Sequence, residues 1–265
     1  MKKYLPFIKS DPTVAVIRLS GMIGTSGRGA LNDASLAPVI EKAFSKGKPV
    51  AVALEINSPG GSPVQSSLIG ARIRRLAEEK EIPVIAFVED VAASGGYWLA
   101  AAADEIYADT SSVVGSIGVI SAGFGLHELM AKNGVERRVY TAGNSKSMLD
   151  PFQPEKPEDI ARLKELLEDI HVNFKEHVTA RRQGKLVEDR DLFTGEIWLG
   201  RRAIEVGLID GIDHLKPHLI KRFGKKVKLN RYGAKKGLLS RFGAQIVGDA
   251  LHGIEERAQY ARFGL

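Results

Sequence analysis

The chain has 265 residues, with 44% hydrophobic and 26% charged residues, values that are ordinary for a soluble globular protein. It contains no cysteine, so disulfides, thiolate nucleophiles and zinc-thiolate sites are excluded. The formal net charge of +6 is concentrated near the C-terminus, where residues 221–265 hold 11 Lys and Arg against 3 Asp and Glu. We therefore divide the chain into a nearly neutral body, residues 1–220, and a basic tail, residues 221–265.

The N-terminal apolar stretch is too short for the hydrophobic region of a signal peptide. No window reaches the roughly eighteen apolar residues of a membrane-spanning helix. We therefore expect a cytoplasmic protein, with peripheral attachment to a membrane through the basic tail as an open alternative. A solvated tail is the commoner role for such a charge run, and we expect no nucleic-acid partner.

The first half of the chain alternates predicted strands and helices. Long strands are predicted at residues 13–19, 49–56 and 82–88, with helices at 36–44 and 65–80 between them. Shorter elements follow, namely strands at 105–108 and within 113–120, a helix at 127–132 and a strand at 137–140. This alternation is typical of βαβ units, so the sequence predicts an α/β fold with a largely parallel sheet.

The second half of the chain is predicted to be mainly helical. Pro157 begins a long amphipathic helix to about residue 182, with an apolar stripe expected to lie in the core, namely Ile160, Leu163, Leu167, Ile170, Phe174 and Val178. A short helix at 201–206 ends at Gly207. In the tail, a weak helical stripe over residues 239–262 predicts a C-terminal helical extension.

Ser94 lies where a hydrophobic strand turns into a small-residue helix, with Gly95 and Gly96 behind it. Such a turn exposes a hydroxyl at the start of a helix, where free backbone N–H groups point outward. Two interpretations are open at this stage, because serine is also a favoured N-cap residue.

Gly61 lies in a second turn of the same kind, about one βα unit earlier in the chain. Adjacent parallel strands would bring this turn close to the Ser94 turn at the carboxyl edge of the sheet, where open α/β sheets bind ligands. Gly61 and Gly95 are therefore candidate donors to an oxyanion, although turn chemistry alone also accounts for the sequence around Gly61.

A nucleophilic serine needs a base to activate it. None of the six histidines follows a strand of the predicted parallel region, so no Ser-His-Asp triad is indicated. Lys146 lies in a Gly/Ser loop, and burial beside a serine would lower the pKa of a lysine enough for it to accept a proton. No metal-binding, phosphate-binding or dinucleotide motif is present, so we expect neither a metal nor a cofactor.

Several segments together resemble the S49 family of serine peptidases, which includes signal peptide peptidase A and the SohB type, and this chain is similar to its short, single-repeat form. The resemblance covers about residues 14–213. It is carried by Asn57 to Gly61, Ala92 to Tyr97, Gly115 to Val119, Lys146 with Pro151 and Phe152, Thr194 with Gly195, Ala203, and Gly207 to Asp210. The resemblance implies a ClpP/crotonase-like fold, a spiral of ββα units.

The resemblance also implies roles for individual residues. Ser94 matches the nucleophile and Lys146 the general base of a Ser-Lys dyad. Ser116 matches the serine that orients this lysine, and Gly61 and Gly95 match the oxyanion-hole donors. The implied activity is cleavage of signal peptides and other short or unfolded peptides after small or apolar residues.

Family members assemble as homo-oligomeric rings or domes, and in short members the lysine can come from the neighbouring protomer. Many also carry an N-terminal membrane anchor, a feature that this chain does not display. Two other functions stay open, namely a catalytically silent scaffold at a membrane surface and a crotonase-like acyl-CoA enzyme. The first would depend on the basic tail, and the second would use Gly61 and Gly95 without needing Ser94 or Lys146.

Overall fold

A mainly parallel β-sheet forms the centre of the molecule in the computed structural model, which describes residues 11–25, 30–143, 145–233 and 260–265. The strands are β1 Thr13–Ser20, β2 Ala51–Ser58, β3 Val84–Ala93, β4 Glu105–Ala108, β5 Val113–Gly115, β6 Ile197–Leu199, β7 Gly211–Ile212 and β8 Lys228–Tyr232. The helices are α1 Asp33–Ser45, α2 Pro63–Lys80, α3 Gly95–Ala101, α4 His127–Lys132, α5 Pro157–Arg181, α6 Gly200–Glu205 and α7 Leu215–Phe223.

The sheet has the strand order β6-β5-β3-β2-β1-β8; β4 also pairs with β3, and β7 pairs with β4. Every pair is parallel except β5 with β6. The first half of β3 pairs with β4 and its last three residues pair with β5, so the sheet divides along this strand. The predicted α/β fold with a mainly parallel sheet is confirmed.

Apolar side chains cover both faces of the central strands, because successive residues of a strand point to opposite sides. The larger core packs the sheet against α1, α2, α3 and part of α5. On the other face, Leu215 and Leu219 of α7 pack against Val14, Val16 and Phe87. The near-continuous apolar strands of the sequence are therefore those buried on both faces, as parallel sheets require.

Part of the predicted basic tail, residues 221–233, belongs to this fold. The boundary predicted at residue 220 falls inside α7, and β8 pairs in register with β1 at the edge of the sheet. Charged side chains are compatible with an edge strand, because one side of it faces solvent. The helical extension predicted over residues 239–262 lies almost entirely outside the described residues. Of the chain after residue 233, the structure describes only 260–265.

Residues 119–156, which we call the arm, differ from the prediction. The strand expected at 137–140 is absent, and α4 is the only helix among the arm's described residues. None of these described residues is buried, and several large apolar side chains are exposed, including Ile120, Phe124, Leu129, Val135 and Tyr140. A strand needs neighbours to pair with, and the arm offers residues 137–140 none.

The apolar stripe of α5 is buried only at its C-terminal end. Phe174 and Val178 are in the core, whereas Ile160, Leu163, Leu167 and Ile170 are half-buried. The prediction that the whole stripe lies in the core is therefore wrong for this chain by itself. No helix among the described residues is both long enough and apolar enough to span a membrane.

Candidate active site

Ser94 occupies a sharp turn between the end of β3 and the start of α3. Its backbone has φ 51° and ψ −123°, an unusual conformation for a residue with a side chain. Such a conformation costs on the order of 1–3 kcal/mol and persists only where the surroundings hold it. Here the Ser94 N–H donates to the Gly115 carbonyl (2.9 Å), and the Ser94 carbonyl accepts from the amides of Tyr97 and Trp98 (2.9 and 3.0 Å).

The turn directs the Ser94 side chain to a half-exposed position, and its hydroxyl makes no hydrogen bond with any described residue. Although Ser94 precedes α3, its side chain does not cap the helix. The capping interpretation of the sequence therefore does not apply, and the hydroxyl is left for another role.

The Gly61 turn lies directly beside this serine. A Cβ atom added to Gly60 would lie 2.7 Å from the Gly95 nitrogen and 2.8 Å from the Ser94 Cβ atom, and one added to Gly95 would lie 3.4 Å from the Gly61 nitrogen. Ile23 holds this turn in place, because its N–H donates to the Gly60 carbonyl and its carbonyl accepts from the Ser62 amide (both 2.8 Å).

The amides of Gly61 and Gly95 both lack an acceptor among the described residues. The two amides therefore lie close to each other and to Ser94. The sequence indicated that these two turns would meet at the carboxyl ends of adjacent strands, and the structure brings them together.

Two cavities open onto Ser94. The larger, of about 330 Å³, is lined by Gly60, Gly61, Ser94 and Ser116 among others. The smaller, of about 120 Å³, is lined mainly by apolar groups, which include Trp98, Ile170 and Phe174. The site thus combines a polar cleft with a small apolar pocket beside the serine.

Ser116 follows β5 and also has a positive φ of 51°. Its N–H donates to the Glu196 carbonyl at 2.7 Å, and its carbonyl accepts from the Gly118 amide at 3.0 Å. Ser116 is half-buried, its hydroxyl has no hydrogen-bond partner among the described residues, and the residue lines the larger cavity that Ser94 also lines. Four of the five residues singled out from the sequence are therefore near one another, namely Ser94, Ser116, Gly61 and Gly95.

Lys146, the fifth residue, is not part of this group in the single chain. It is exposed on the arm, and its ammonium makes no hydrogen bond or ion pair with the described residues. It lines neither cavity that opens onto Ser94. In the single chain, Ser94, Ser116 and the two glycine amides therefore lie together without Lys146 beside them.

A buried polar network holds α3 from behind. The Tyr97 hydroxyl donates to the Leu208 carbonyl at 2.7 Å. Arg182, whose side chain is only 2% exposed, donates to the Gly207 carbonyl and to the Asp210 carboxylate. Burial alone would raise the pKa of Asp210, but hydrogen bonds from Arg182 and Lys185 outweigh it and lower that pKa. The segment 207–210 therefore anchors α3, a role for Tyr97 and Arg182 that the sequence did not reveal.

Helix α5 supports the apolar pocket through aromatic contacts. The His177 ring stacks on the Trp98 indole, with centroids 4.4 Å apart, and contacts the Trp98 carbonyl through Nε2 at 3.0 Å. Burial lowers the pKa of His177 below its ordinary value. The Phe174 ring also packs against this indole, with centroids 5.1 Å apart. The walls of the pocket are thus fixed by packing rather than by the strand–helix turn itself.

The C-terminal residues 260–265 also reach the site. Phe263 packs against Val91, Ala93 and Val113, and both Arg262 and Phe263 line the larger cavity. The Tyr260 hydroxyl donates to the Asn57 carbonyl at 2.8 Å. These residues lie outside the segments that carry the family resemblance, so no local pattern in the sequence placed them here.

The described part of the chain contains no cluster of three or more His, Asp or Glu residues suited to a metal ion.

Comparison with known proteins supports one family. The model of peptidase family S49 matches residues 77–230. Two proteins of Brucella, each named Na(+)/H(+) antiporter NhaA, are 51% identical over the whole of this chain, which spans only 39% of their length. The probable protease SohB of Haemophilus influenzae is 31% identical over 90% of this chain and 66% of its own length.

Among solved structures, one similar chain is a mutant of the 1510-N membrane-bound stomatin-specific protease, in complex with a substrate peptide. It is 14% identical, with a TM-score of 0.48 over 86% of this chain and 95% of that one.

Proposed function

The chain belongs to peptidase family S49, and we propose that it is a serine endopeptidase in which Ser94 is the nucleophile and Lys146 the general base. One observation carries the proposal: the strained Ser94 turn places a hydroxyl beside the amides of Gly61 and Gly95, and none of these three groups is hydrogen-bonded to a described residue. Strain of this kind is found where a function requires it.

In the proposed reaction, neutral Lys146 accepts the proton of the Ser94 hydroxyl while the serine oxygen attacks the carbonyl carbon of the scissile peptide bond. The amides of Gly61 and Gly95 donate to the oxygen on which negative charge develops. The protonated lysine then gives its proton to the departing amine, and an acyl-serine ester remains. Water, deprotonated by the same lysine, hydrolyses this ester and restores Ser94. The hydroxyl of Ser116 orients the lysine throughout.

The base is proposed to come from a second copy of the chain, in a homo-oligomer with the form of a ring or dome. The exposed position of Lys146 in the single chain supports this arrangement. So do the exposed apolar side chains of the arm and the half-buried part of the α5 stripe, which a neighbouring protomer would cover.

Peptides that are short or unfolded, signal peptides among them, are the proposed substrates. The apolar pocket of about 120 Å³ beside Ser94 suits a small or apolar side chain at the residue preceding the scissile bond, the P1 residue. Peripheral attachment of a cytoplasmic protein to a membrane through the basic tail remains part of this proposal, and most of that tail lies outside the described residues.

A fluorophosphonate probe, which modifies activated serines, tests the nucleophile directly. The wild-type chain should be labelled at Ser94, and the labelled peptide can be identified by mass spectrometry. Ser94→Ala should abolish both labelling and peptide cleavage, whereas Ser66→Ala should retain labelling, because the Ser66 hydroxyl is committed to the Ser62 carbonyl at 2.9 Å. Undiminished labelling of Ser94→Ala would refute the proposal. Turnover of an acyl-CoA thioester independent of Ser94 would instead favour the crotonase-like alternative.

A further inference from the structure

A separate cavity, of about 650 Å³, lies at the sheet edge formed by β6 and does not include Ser94. Its charged lining consists of three arginines, Arg190, Arg201 and Arg202, and one carboxylate, that of Glu196. The cavity therefore carries an excess of positive charge, which favours an anion.

Most other described arginines are paired with carboxylates. Eleven of them form an ion pair, from Arg18 with Glu55 in the sheet to Arg222 with Glu105 beside α7. Arg190, Arg201 and Arg202 form none with any described residue, although Glu196 lines the same cavity. Three unpaired arginines are thus gathered in one place, where no described carboxylate neutralises them.

One of these guanidinium groups is held in position. The Arg190 guanidinium lies 5.3 Å from the centre of the Trp198 ring, and Trp198 is only 7% exposed. A cation over an indole face is stabilised by the electron density of the ring. Arginine is also the side chain whose planar fork best matches the oxygen atoms of a phosphate.

We propose that this cavity binds a phosphate group. Beside the arginines, Ile197 and Leu199 of β6 are 46% and 52% exposed, so charged and apolar groups occur together at the cavity. A phospholipid at a membrane surface would satisfy both, with its phosphate on the arginines and its glycerol and upper acyl chain on the isoleucine and leucine. A free phosphorylated compound would satisfy the arginines alone.

The cavity adjoins the proposed catalytic cleft through β6. Glu196, which lines it, accepts a hydrogen bond from the Ser116 amide through its carbonyl, and the preceding Gly195 lines the cavity of Ser94. A bound headgroup would therefore hold the Ser94 cleft close to a membrane surface. The phosphate site itself does not depend on peptidase activity.

The test compares the full-length wild-type chain with a triple variant that removes the three charges, Arg190→Gln with Arg201→Gln and Arg202→Gln. Flotation with phosphatidylcholine vesicles, with and without phosphatidylglycerol, measures membrane binding. Each basic residue near an anionic surface strengthens attachment to it, so the triple variant should bind the anionic vesicles at least about tenfold more weakly. Inorganic phosphate should also change the fluorescence of Trp198 saturably, and Trp198→Phe should lose this signal.

A matched control changes the charge equally at exposed positions elsewhere on the surface, Arg75→Gln with Lys80→Gln and Arg162→Gln. It should bind like the wild type, and circular dichroism should show both triple variants folded. A phosphate response without any difference in vesicle binding would support the site and identify a soluble ligand. Equal losses in both triple variants, or no change in either assay, would overturn the proposal.

Discussion

The body around Ser94 and the arm that carries Lys146 differ in how completely one chain builds them. In the body, the strand, turn and helix that hold Ser94 are enclosed by apolar side chains and by the buried Arg182–Asp210 pair. In the arm, none of the described residues is buried, and large apolar side chains face solvent. Of the proposed dyad, Ser94 is therefore held in place by the fold of one chain, whereas Lys146 has no packing partner among the described residues.

This difference bears on how activity would be controlled. In the proposed mechanism, Ser94 and the amides of Gly61 and Gly95 are inert without a base, so hydrolysis would begin only where protomers meet. The same kind of substitution should consequently have different effects on activity or stability in the body around Ser94 and in the arm.

Mixing two inactive variants should give the largest effect. Ser94→Ala and Lys146→Ala should each lose at least about three orders of magnitude in kcat/KM, because the two groups act as a unit. Co-expressed in one oligomer, they should regain activity, since the first supplies Lys146 and the second supplies Ser94. Cleavage of a fluorogenic peptide measures the recovery.

The control replaces the Lys146→Ala partner by the double variant Ser94→Ala with Lys146→Ala, which supplies no serine and should restore nothing. Size-exclusion chromatography with light scattering establishes that mixed oligomers form. If mixed oligomers form without recovering activity, the lysine does not act across protomers.

The same contrast explains which features the sequence could reveal. Ser94, Gly61 and Gly95 were recognisable because strand, turn and helix signals are local, and parallel pairing of neighbouring strands then brings the turns together. The strand expected at 137–140 had suitable residues, Val139 and Tyr140, but strand formation depends on a pairing partner that local sequence does not report.

Long-range contacts account for the features that were missed. β8 was not predicted, because Lys228 and Arg231 interrupt its apolar residues and its partner β1 lies more than 200 residues away in sequence. Nothing near Arg182 in sequence indicates that its side chain is buried against Asp210, since the partner lies 28 residues away. The placement of Phe263 beside the Ser94 cleft is likewise a tertiary contact without a local signal.

Removing a carboxylate should destabilise the body far more than the arm. Asp210→Asn leaves the buried Arg182 charge without its partner, which costs about 3–5 kcal/mol in unfolding free energy near neutral pH. Asp150→Asn in the arm removes the partner of the half-exposed Arg137, so its effect should be much smaller. Urea unfolding monitored by circular dichroism measures the unfolding free energy of both variants. Equal losses would contradict the proposed difference between the body and the arm.

The dependence of stability on pH follows from the same pair. The pKa of Asp210 is lowered in the folded state, so its contribution is present above the pKa of the unfolded chain and is lost as the pH falls through the folded value. Wild-type stability should therefore decrease on acidification below about pH 4. Asp210→Asn should remove part of this decrease, and an unchanged acid profile would show that the pair does not contribute to it.

Replacing a glycine by alanine adds one methyl group, and its effect on stability compares how tightly the body and the arm are packed. Neither Gly96 nor Gly123 has a positive φ, so alanine is compatible with both backbones. A Cβ atom at Gly96 would collide with the Ser58 carbonyl oxygen, whereas one at Gly123 would meet nothing within 4 Å. Gly96→Ala should cost about 1–3 kcal/mol, and Gly123→Ala should be neutral or slightly stabilising. Thermal unfolding measures both, and a tolerated Gly96→Ala would show that the Ser94 turn is less tightly packed than described.

The smallest expected effect concerns substrate choice and compares two positions on α5. Ile170 lines the apolar pocket beside Ser94, so Ile170→Ala should enlarge it and shift kcat/KM from alanine towards leucine at P1 by about tenfold. Leu166→Ala, on an exposed part of the same helix, removes a similar volume outside the pocket and should leave this ratio unchanged. Competition between two fluorogenic peptides that differ only at P1 measures the ratio independently of enzyme concentration. An equal shift in both variants would mean that α5 influences the site through assembly, and that the pocket does not select the P1 side chain.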